Sequence, residues 1–271
     1  MINIHTNIPS ITTQRYLNAN ASMVQANVEK LSSGYRINRA SDDAAGLAIS
    51  EEMRADLRSL AQANRNASDA TSLIQTSEAS MSEISNILAR MRELSMQAAS
   101  DGINDTQRGY VDLEMTELQA EIDRMSSVAE YNGVPLLDGT LSATFQVGLN
   151  SGDTINLGIG TAVSTAGLGV DVVDVTTRTG ADAALALIDT AIETISGFRA
   201  ELGAKENRIT KIKSNLDVTY EALSAGNARI REVDVASEMA SFTKNQILVQ
   251  ASTSMLAQAN SFPEVALTLL G

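Results

Sequence analysis

Ile188, Ile195, Leu202, Ile209, Leu216, Leu223 and Ile230 follow one another at intervals of seven, without a gap. Leu185, Ile192, Phe198 and Ile212 stand beside that column and supply a second apolar position in several repeats. A 3.5-residue period drifts about 20° per heptad around a straight α-helix, so a column held this long requires left-handed supercoiling against a partner helix. Two further columns lie upstream. Met53, Leu60, Ala67, Ile74, Met81 and Leu88 also recur every seven, with Leu57, Ile84 and Met91 in support. Val111, Met115, Leu118, Ile122, Met125 and Ala129 step alternately by four and three. The expected fold is therefore mainly α: a long antiparallel coiled-coil bundle in which the seam residues Ile188 to Leu223 face a partner.

Composition narrows the function. The 271 residues carry 20 Lys+Arg against 33 Asp+Glu, a net charge of −13, the wrong sign for a sequence-independent nucleic-acid binder. There is no cysteine and one histidine, His5, which removes Cys/His metal sites, thiol nucleophiles and a histidine-centred triad. Aromatic residues make up 3% and there are three prolines, whereas 44% of the chain is hydrophobic and much of that is alanine. Slender helices satisfy this composition better than a globule around a pocket. Asp42 and Asp43 read as charges at a helix N-terminus, Asp101 and Asp105 lack the later ligands of a calcium loop, and Gly158-Ile159-Gly160 is too short for a dinucleotide loop. The methionines at 53, 81, 91, 115 and 125 fall on apolar columns and read as adaptable packing. No catalytic constellation and no cofactor site is expected, so the chain does not read as an enzyme.

Punctuation divides the helices. A first one, roughly 6–32, ends at Ser32-Ser33-Gly34. Ser41 is the expected N-cap of the next, with Asp42 and Asp43 in its first turn. Ser100-Asp101-Gly102 ends it, and Asn104 with Gln107 forms a capping box for a third. After Tyr131-Asn132-Gly133 the period changes. Phe145, Val147 and Leu149 alternate, then Ile155, Leu157 and Ile159, around Asn150-Ser151-Gly152-Asp153: a β-hairpin with a four-residue loop. Residues 160–181 read as an irregular connector. Helix resumes near Asp182, with a break expected near Gly226. In the seam, Asn64, Thr71 and Asn227 are polar positions that can fix register.

The two ends differ from the arms. No charge lies between Arg15 and Glu29, and Lys244 alone is charged in 239–262. The candidate assembly residues are Leu17, Val24 and Leu31 in the first helix, and Phe242, Ile247, Leu248, Met255, Leu256 and Leu269 in the last. Two such helices cannot hide all of this in one slender pair; the remainder must be covered by other copies or stay unfolded. The start, MINIHTNIPSITTQRYLN, has no basic region followed by an apolar one, so no Sec-type signal is expected, and no window reaches the roughly 20 apolar residues of a membrane span.

Several segments, in order and at both ends, resemble bacterial flagellin: LSSGYRINRASDDAAGLAIS (31–50), ATSLIQTSEASMSEISNILARMRELSMQAA (70–99), YNGVPLLDG (131–139), FQVGLNSGDTINL (145–157), ENRI (206–209) and NQILVQASTSMLAQANSFPEVALTLLG (245–271). Around Pro263 the chain departs from the pattern, with Ser261 and Glu264 where many members carry glutamine. The resemblance implies a self-assembling subunit of a hollow helical filament, in a short form without large outer insertions. It implies a filament-core domain and spoke loop, 1–43 with 235–271, and an outer helical domain, 44–234, with the hairpin region at about 131–181. Terminal helices would order only on polymerisation. Export would use the flagellar type III apparatus, to an extracellular filament. The implied partners are further copies of the chain, a cytosolic export chaperone, and the hook–filament junction and cap proteins. In ARMRELSMQ, Arg90, Glu93, Leu94 and Gln97, with Glu114 on the next helix, match the motif by which Toll-like receptor 5 recognises many flagellins. Leu94 equally reads as a core or subunit-contact residue.

Two rival readings share part of the pattern. A cytosolic coiled-coil adaptor or signalling protein would be acidic and heptad-bearing, but would carry charge through its termini. A lipid-surface protein would place Lys, Arg and bulky aromatics along its polar boundary, and this acidic chain does not.

Overall fold

The computed structural model describes residues 6–270, with side chains up to 261. Helix α1 spans Ile8–Ser33. Asn7 caps it by accepting the Ser10 N–H, and Gly34, at φ 75°, ends it by returning its N–H to the Lys30 carbonyl. Helix α2 runs Ala44–Ala98. Its cap is Asp43, not Ser41: Asp43 Oδ1 accepts the Gly46 N–H at 2.9 Å and its carbonyl takes the Leu47 N–H at 3.0 Å. Ser41 is unavailable because the chain turns tightly there, with the Asp42 N–H on the Arg39 carbonyl. Helix α3, Asp105–Val128, begins with the expected Asn104/Gln107 capping box.

Two small antiparallel sheets follow. Strands β1 (Glu130–Tyr131) and β2 (Val134–Pro135) enclose Asn132 and Gly133. Both of these residues have positive φ, 51° and 78°, the mirror-image turn that Asn-Gly favours. Strands β3 (Ser142–Gln146) and β4 (Thr154–Gly158) pair with Phe145 opposite Ile155. Their loop is residues 147–153, longer than expected, because pairing ends at Gln146 and Thr154. Asp153 then folds its carboxylate onto the Asn150 N–H at 3.0 Å. The stretch after β4 is not a loose connector. It contains the one-turn helix α4 (Thr165–Leu168), and Val163, Val170 and Val175 are fully buried. It runs antiparallel along α3: Asp123 accepts the Thr165 N–H and hydroxyl at 2.8 and 2.9 Å, and Gln119 donates to the Val170 carbonyl at 2.7 Å.

Helix α5 spans Arg178–Arg231 and α6 spans Val235–Leu270. The break therefore falls at Glu232–Asp234, where Asp234 Oδ1 accepts the Ala236 and Ser237 N–H groups. Gly226 stays helical. One interior glycine costs about 1 kcal/mol, which a helix of 54 residues absorbs.

The chain divides into two compact units, one comprising residues up to Leu57 with those from Glu221 onward, the other Arg58–Tyr220. Within the second, α2 and α5 are antiparallel in fixed register. Asn64 donates to Asp217, Lys213 to Ser68, Gln75 to Glu206 and Arg92 to Asp189, at 2.6–3.0 Å. From Asn64 to Arg92, α2 advances four heptads while its partner on α5 retreats four. The seam is apolar and closed. Ile188, Ile195, Leu202 and Ile209 are buried in one cluster with Ile74, Met81, Ile84, Leu88, Met91, Met115 and Ile122, and Leu216 is buried just beyond it. Leu223, in the first unit, is only half-buried. Of the polar seam positions, Asn64 crosses to Asp217, whereas Thr71 bonds back to Ala67 of its own helix. The buried Oδ1 of Asn227 has no partner.

Candidate assembly surface

In the first unit, α1 packs against α6. Seen residue by residue, the contact is a heptad seam of two unlike columns. The apolar column is Leu17, Val24 and Leu31 on α1 with Phe242, Val249 and Leu256 on α6, all half-buried. The second is polar: Thr13, Asn20 and Asn27 on α1, with Glu238, Asn245 and Ser252 on α6. The polar columns meet each other. Asn27 donates to Glu238 Oε1 at 2.7 Å and accepts from Asn245 at 3.2 Å, and Asn20 donates to Ser252 at 3.4 Å. At the open end Asn7 donates to the Ala259 carbonyl at 2.8 Å and the Ser10 hydroxyl to Asn260 at 2.7 Å. A polar ladder of this kind fixes register and direction at the expense of stability. Its signal was present in the seven-residue spacing of Asn20 and Asn27 and of Asn245 and Ser252, beside the apolar columns.

Burial shows what the pair lacks. Among the described residues of α1, Asn27 alone is fully buried. The candidate assembly residues separate into two groups. Leu17, Val24, Leu31, Phe242 and Leu256 lie half-buried in the seam, while Ile247, Leu248 and Met255 face outward and are exposed, together with Ile8, Ile11, Tyr16, Met23 and Met239. The side chain of Leu269 lies outside the described residues, as does His5. Each exposed apolar side chain that becomes fully covered contributes about 1.5–3 kcal/mol, so a copy that covers several of them gains far more than the ladder contributes.

The chain segments that follow α1 and precede α6 are tied together. Tyr35 bridges Glu232, the Arg36 N–H reaches the Arg231 carbonyl at 2.7 Å, and the Val233 N–H reaches the Gly34 carbonyl at 3.0 Å. Arg231 stacks 4.8 Å over the Tyr35 ring and pairs with Glu51 at 2.6 Å. Nearby, Asp42 accepts the N–H groups of Arg39 and Asn38, and these bonds, Arg39 first, hold its carboxyl below the usual range.

The second candidate surface lies in the other unit. Arg90 bridges α2 and α3, bonding Glu114 at 2.8 Å and Glu93 at 3.0 Å, and all three side chains are exposed. The hydrogen bonds it donates, to Glu114 first and Glu93 second, raise the guanidinium further above its ordinary range. Gln97 is exposed, but Leu94 is only 2% accessible and belongs to the core. Leu94 therefore supports this surface from beneath and presents nothing to a partner. Among the described residues no group of His, Cys, Asp or Glu is arranged to hold a metal ion, and no helix is long and apolar enough to cross a membrane.

Comparison with known proteins agrees across the chain. The model of the bacterial flagellin N-terminal helical region matches residues 4–142, and that of the bacterial flagellin C-terminal helical region matches residues 185–270. The chain is 43% identical over 272 residues to a flagellin of Halalkalibacterium halodurans, covering 98% of this chain and 99% of that one. It is 44% identical over 301 residues to the flagellin of Bacillus subtilis, with the same coverage. Among solved structures it resembles the crystal structure of Bacillus cereus flagellin, at 34% identity and a TM-score of 0.52, over 56% of this chain and 88% of that one.

Proposed function

The chain belongs to the bacterial flagellin family and is a structural subunit of the flagellar filament, not an enzyme, and from that premise we propose how it polymerises. The assembling element is the α1/α6 pair, with 1–43 and 235–271 forming the filament core and 44–234 the outer helical domain. Leu17, Val24, Leu31, Phe242 and Leu256 hold the pair together. Ile247, Leu248 and Met255 bind neighbouring copies. The observation that carries this reading is an almost charge-free helix pair whose apolar side chains outnumber the positions its own seam can cover. In a chain of net charge −13, copies repel except where they are uncharged, so these helices are where contact is cheapest. The terminal helices order as copies join.

The subunit reaches the extracellular filament through the flagellar type III apparatus, escorted by an export chaperone over its C-terminal helix, and meets hook–filament junction and cap proteins at the filament ends. The Arg90, Glu93, Gln97 and Glu114 surface, backed by Leu94, is the recognition site for Toll-like receptor 5. Purified protein, concentrated at neutral pH, will pellet as filaments visible by electron microscopy and return to monomer on heating or acidification. A chain that remains a small oligomer under those conditions contradicts the assignment.

A further inference from the structure

The described methionines divide sharply by exposure. Met81, Met91 and Met115 are fully buried, and Met53 and Met125 are half-buried on their apolar columns. Met23, Met96, Met239 and Met255 are 52%, 57%, 46% and 61% exposed. Three of these four stand on the terminal pair, Met23 on α1 and Met239 and Met255 on α6. Met96 lies instead in the 58–220 unit, near the end of α2. A thioether packs as an apolar group, and in a chain with no cysteine and no tryptophan it is also the side chain most open to oxidation. No lysine or arginine stands within four residues of Met23, Met239 or Met255. On its own helix, therefore, none of the three has a cation within reach of an added oxygen.

Resting on the assembly reading above, we propose that Met23, Met239 and Met255 are oxidation sites that decide whether a free subunit can join the filament. The oxidant is a peroxide. A sulfur lone pair takes one oxygen of hydrogen peroxide, the O–O bond breaks and water leaves. The sulfur gives up two electrons, the peroxide gains them, and the thioether becomes a sulfoxide. A strong hydrogen-bond acceptor then stands where an apolar contact was. In the free subunit that oxygen is hydrated, and the fold is kept. Against a neighbouring copy it loses its water and meets no donor, so each sulfoxide opposes docking. The buried methionines of the 58–220 unit are out of the oxidant's reach, and the closed seam stays intact. In the filament the three terminal sulfurs are covered and resist the same reagent. Methionine sulfoxide reductase reverses the change with a dithiol, which becomes a disulfide while the sulfoxide oxygen leaves as water.

The deciding measurement needs no altered chain. Monomer is partly oxidised with hydrogen peroxide, the peroxide is removed, and the protein is concentrated and pelleted. Peptide mass spectrometry then gives the sulfoxide fraction at each methionine in pellet and supernatant. The expected result is sulfoxide at Met23, Met239 and Met255 enriched about tenfold in the supernatant. Met96 sulfoxide will be shared equally between the two, Met81, Met91 and Met115 will stay unoxidised, and the reductase will return the supernatant chains to the pellet. The triple variant Met23→Leu, Met239→Leu, Met255→Leu will assemble after peroxide treatment, whereas Met96→Leu will remain sensitive; if the triple variant does not assemble untreated, the partition measurement decides alone. Equal sulfoxide fractions at the three terminal positions in pellet and supernatant, or exclusion that follows Met96, overturn the oxidation proposal and leave assembly through the terminal helices standing. Finished filaments whose Met23, Met239 and Met255 oxidise as fast as in the monomer overturn both.

Discussion

The two units use the same device, an antiparallel heptad seam, to opposite ends. Between Arg58 and Tyr220 the seam is apolar except at Asn64 and Thr71, is joined by α3, the β3/β4 hairpin and the strap after it, and buries Ile188, Ile195 and Ile209 completely. In the terminal unit one column of the seam is polar, and the apolar column reaches only half burial. A closed seam gives a domain that stands alone. A half-polar, half-covered seam gives a pair with a defined register and an unfinished surface, which suits a part that must wait for neighbours. The difference lies in what fills alternate seam positions, Asn and Ser against Ile and Met, and not in helix length or spacing.

That contrast can be broken in several places. The largest effect is expected from deleting residues 240–271: polymerisation will be abolished in pelleting assays, while circular dichroism still shows the cooperative melt of the 58–220 unit. Long filaments from the truncated chain would refute the division of labour. Next is Ile209→Asp, which puts a charge at a fully buried position. Loss of the side chain alone costs about 2–5 kcal/mol, and burial of a charged carboxyl adds to it. An unchanged melting curve would mean the seam is wrongly assigned. By contrast, Val24→Asp will leave that melt in place and prevent assembly, because its column is covered only in part. Asn27→Ala removes two seam hydrogen bonds and leaves Glu238 and Asn245 without their partner. It will weaken the terminal pair by about 1–3 kcal/mol, read as a raised critical concentration for assembly. Asp43→Ala will destabilise the start of α2 by about 1 kcal/mol, whereas Ser41→Ala will change it by a few tenths at most.

The smallest effect concerns acid. The carboxyl of Asp42 is held below its usual range by the N–H groups of Arg39 and Asn38. Its contribution is therefore complete above the unfolded value of about 3.9 and is lost as the pH falls through the lower, folded one. Asp42→Asn will be less stable than the parent at pH 7, and the gap will close at pH values well below the ordinary carboxylate range. A gap that stays constant with pH would show that the carboxylate's charge is not what matters.

Much of this was legible in the sequence because it rests on periodicity. The seven-residue columns located the closed seam, and their members from Leu60 to Leu88 and from Ile188 to Leu216 are all buried. Local chemistry located the Asn104/Gln107 box and the end of α1 at Gly34. What misled were places where tertiary contacts override local signals. Gly226 looks like a break, but a long packed helix carries it through, and the real joint at Glu232–Asp234 is made by the Tyr35 bridge, a contact between distant segments. Residues 160–181 look loose because Gly, Thr and Val show no helical period, yet Asp123 on α3 holds Thr165 and Gln119 holds the Val170 carbonyl. Of the receptor-motif residues, Leu94 was ambiguous because motif spacing does not distinguish a side chain beneath a surface from one on it. The polar ladder is hard to see in the sequence because Asn and Ser add nothing to a hydropathy period, although they share it.

Amide hydrogen exchange of the free chain and of the assembled filament tests the central claim most directly. In the monomer, the amides of α1 and α6 will exchange with little protection while the buried stretches of the 58–220 unit exchange slowly, and polymerisation will protect α1 and α6 alone by orders of magnitude. If α1 and α6 are already as protected in the monomer as the Ile188–Ile209 seam, the terminal pair is complete by itself and the account is contradicted.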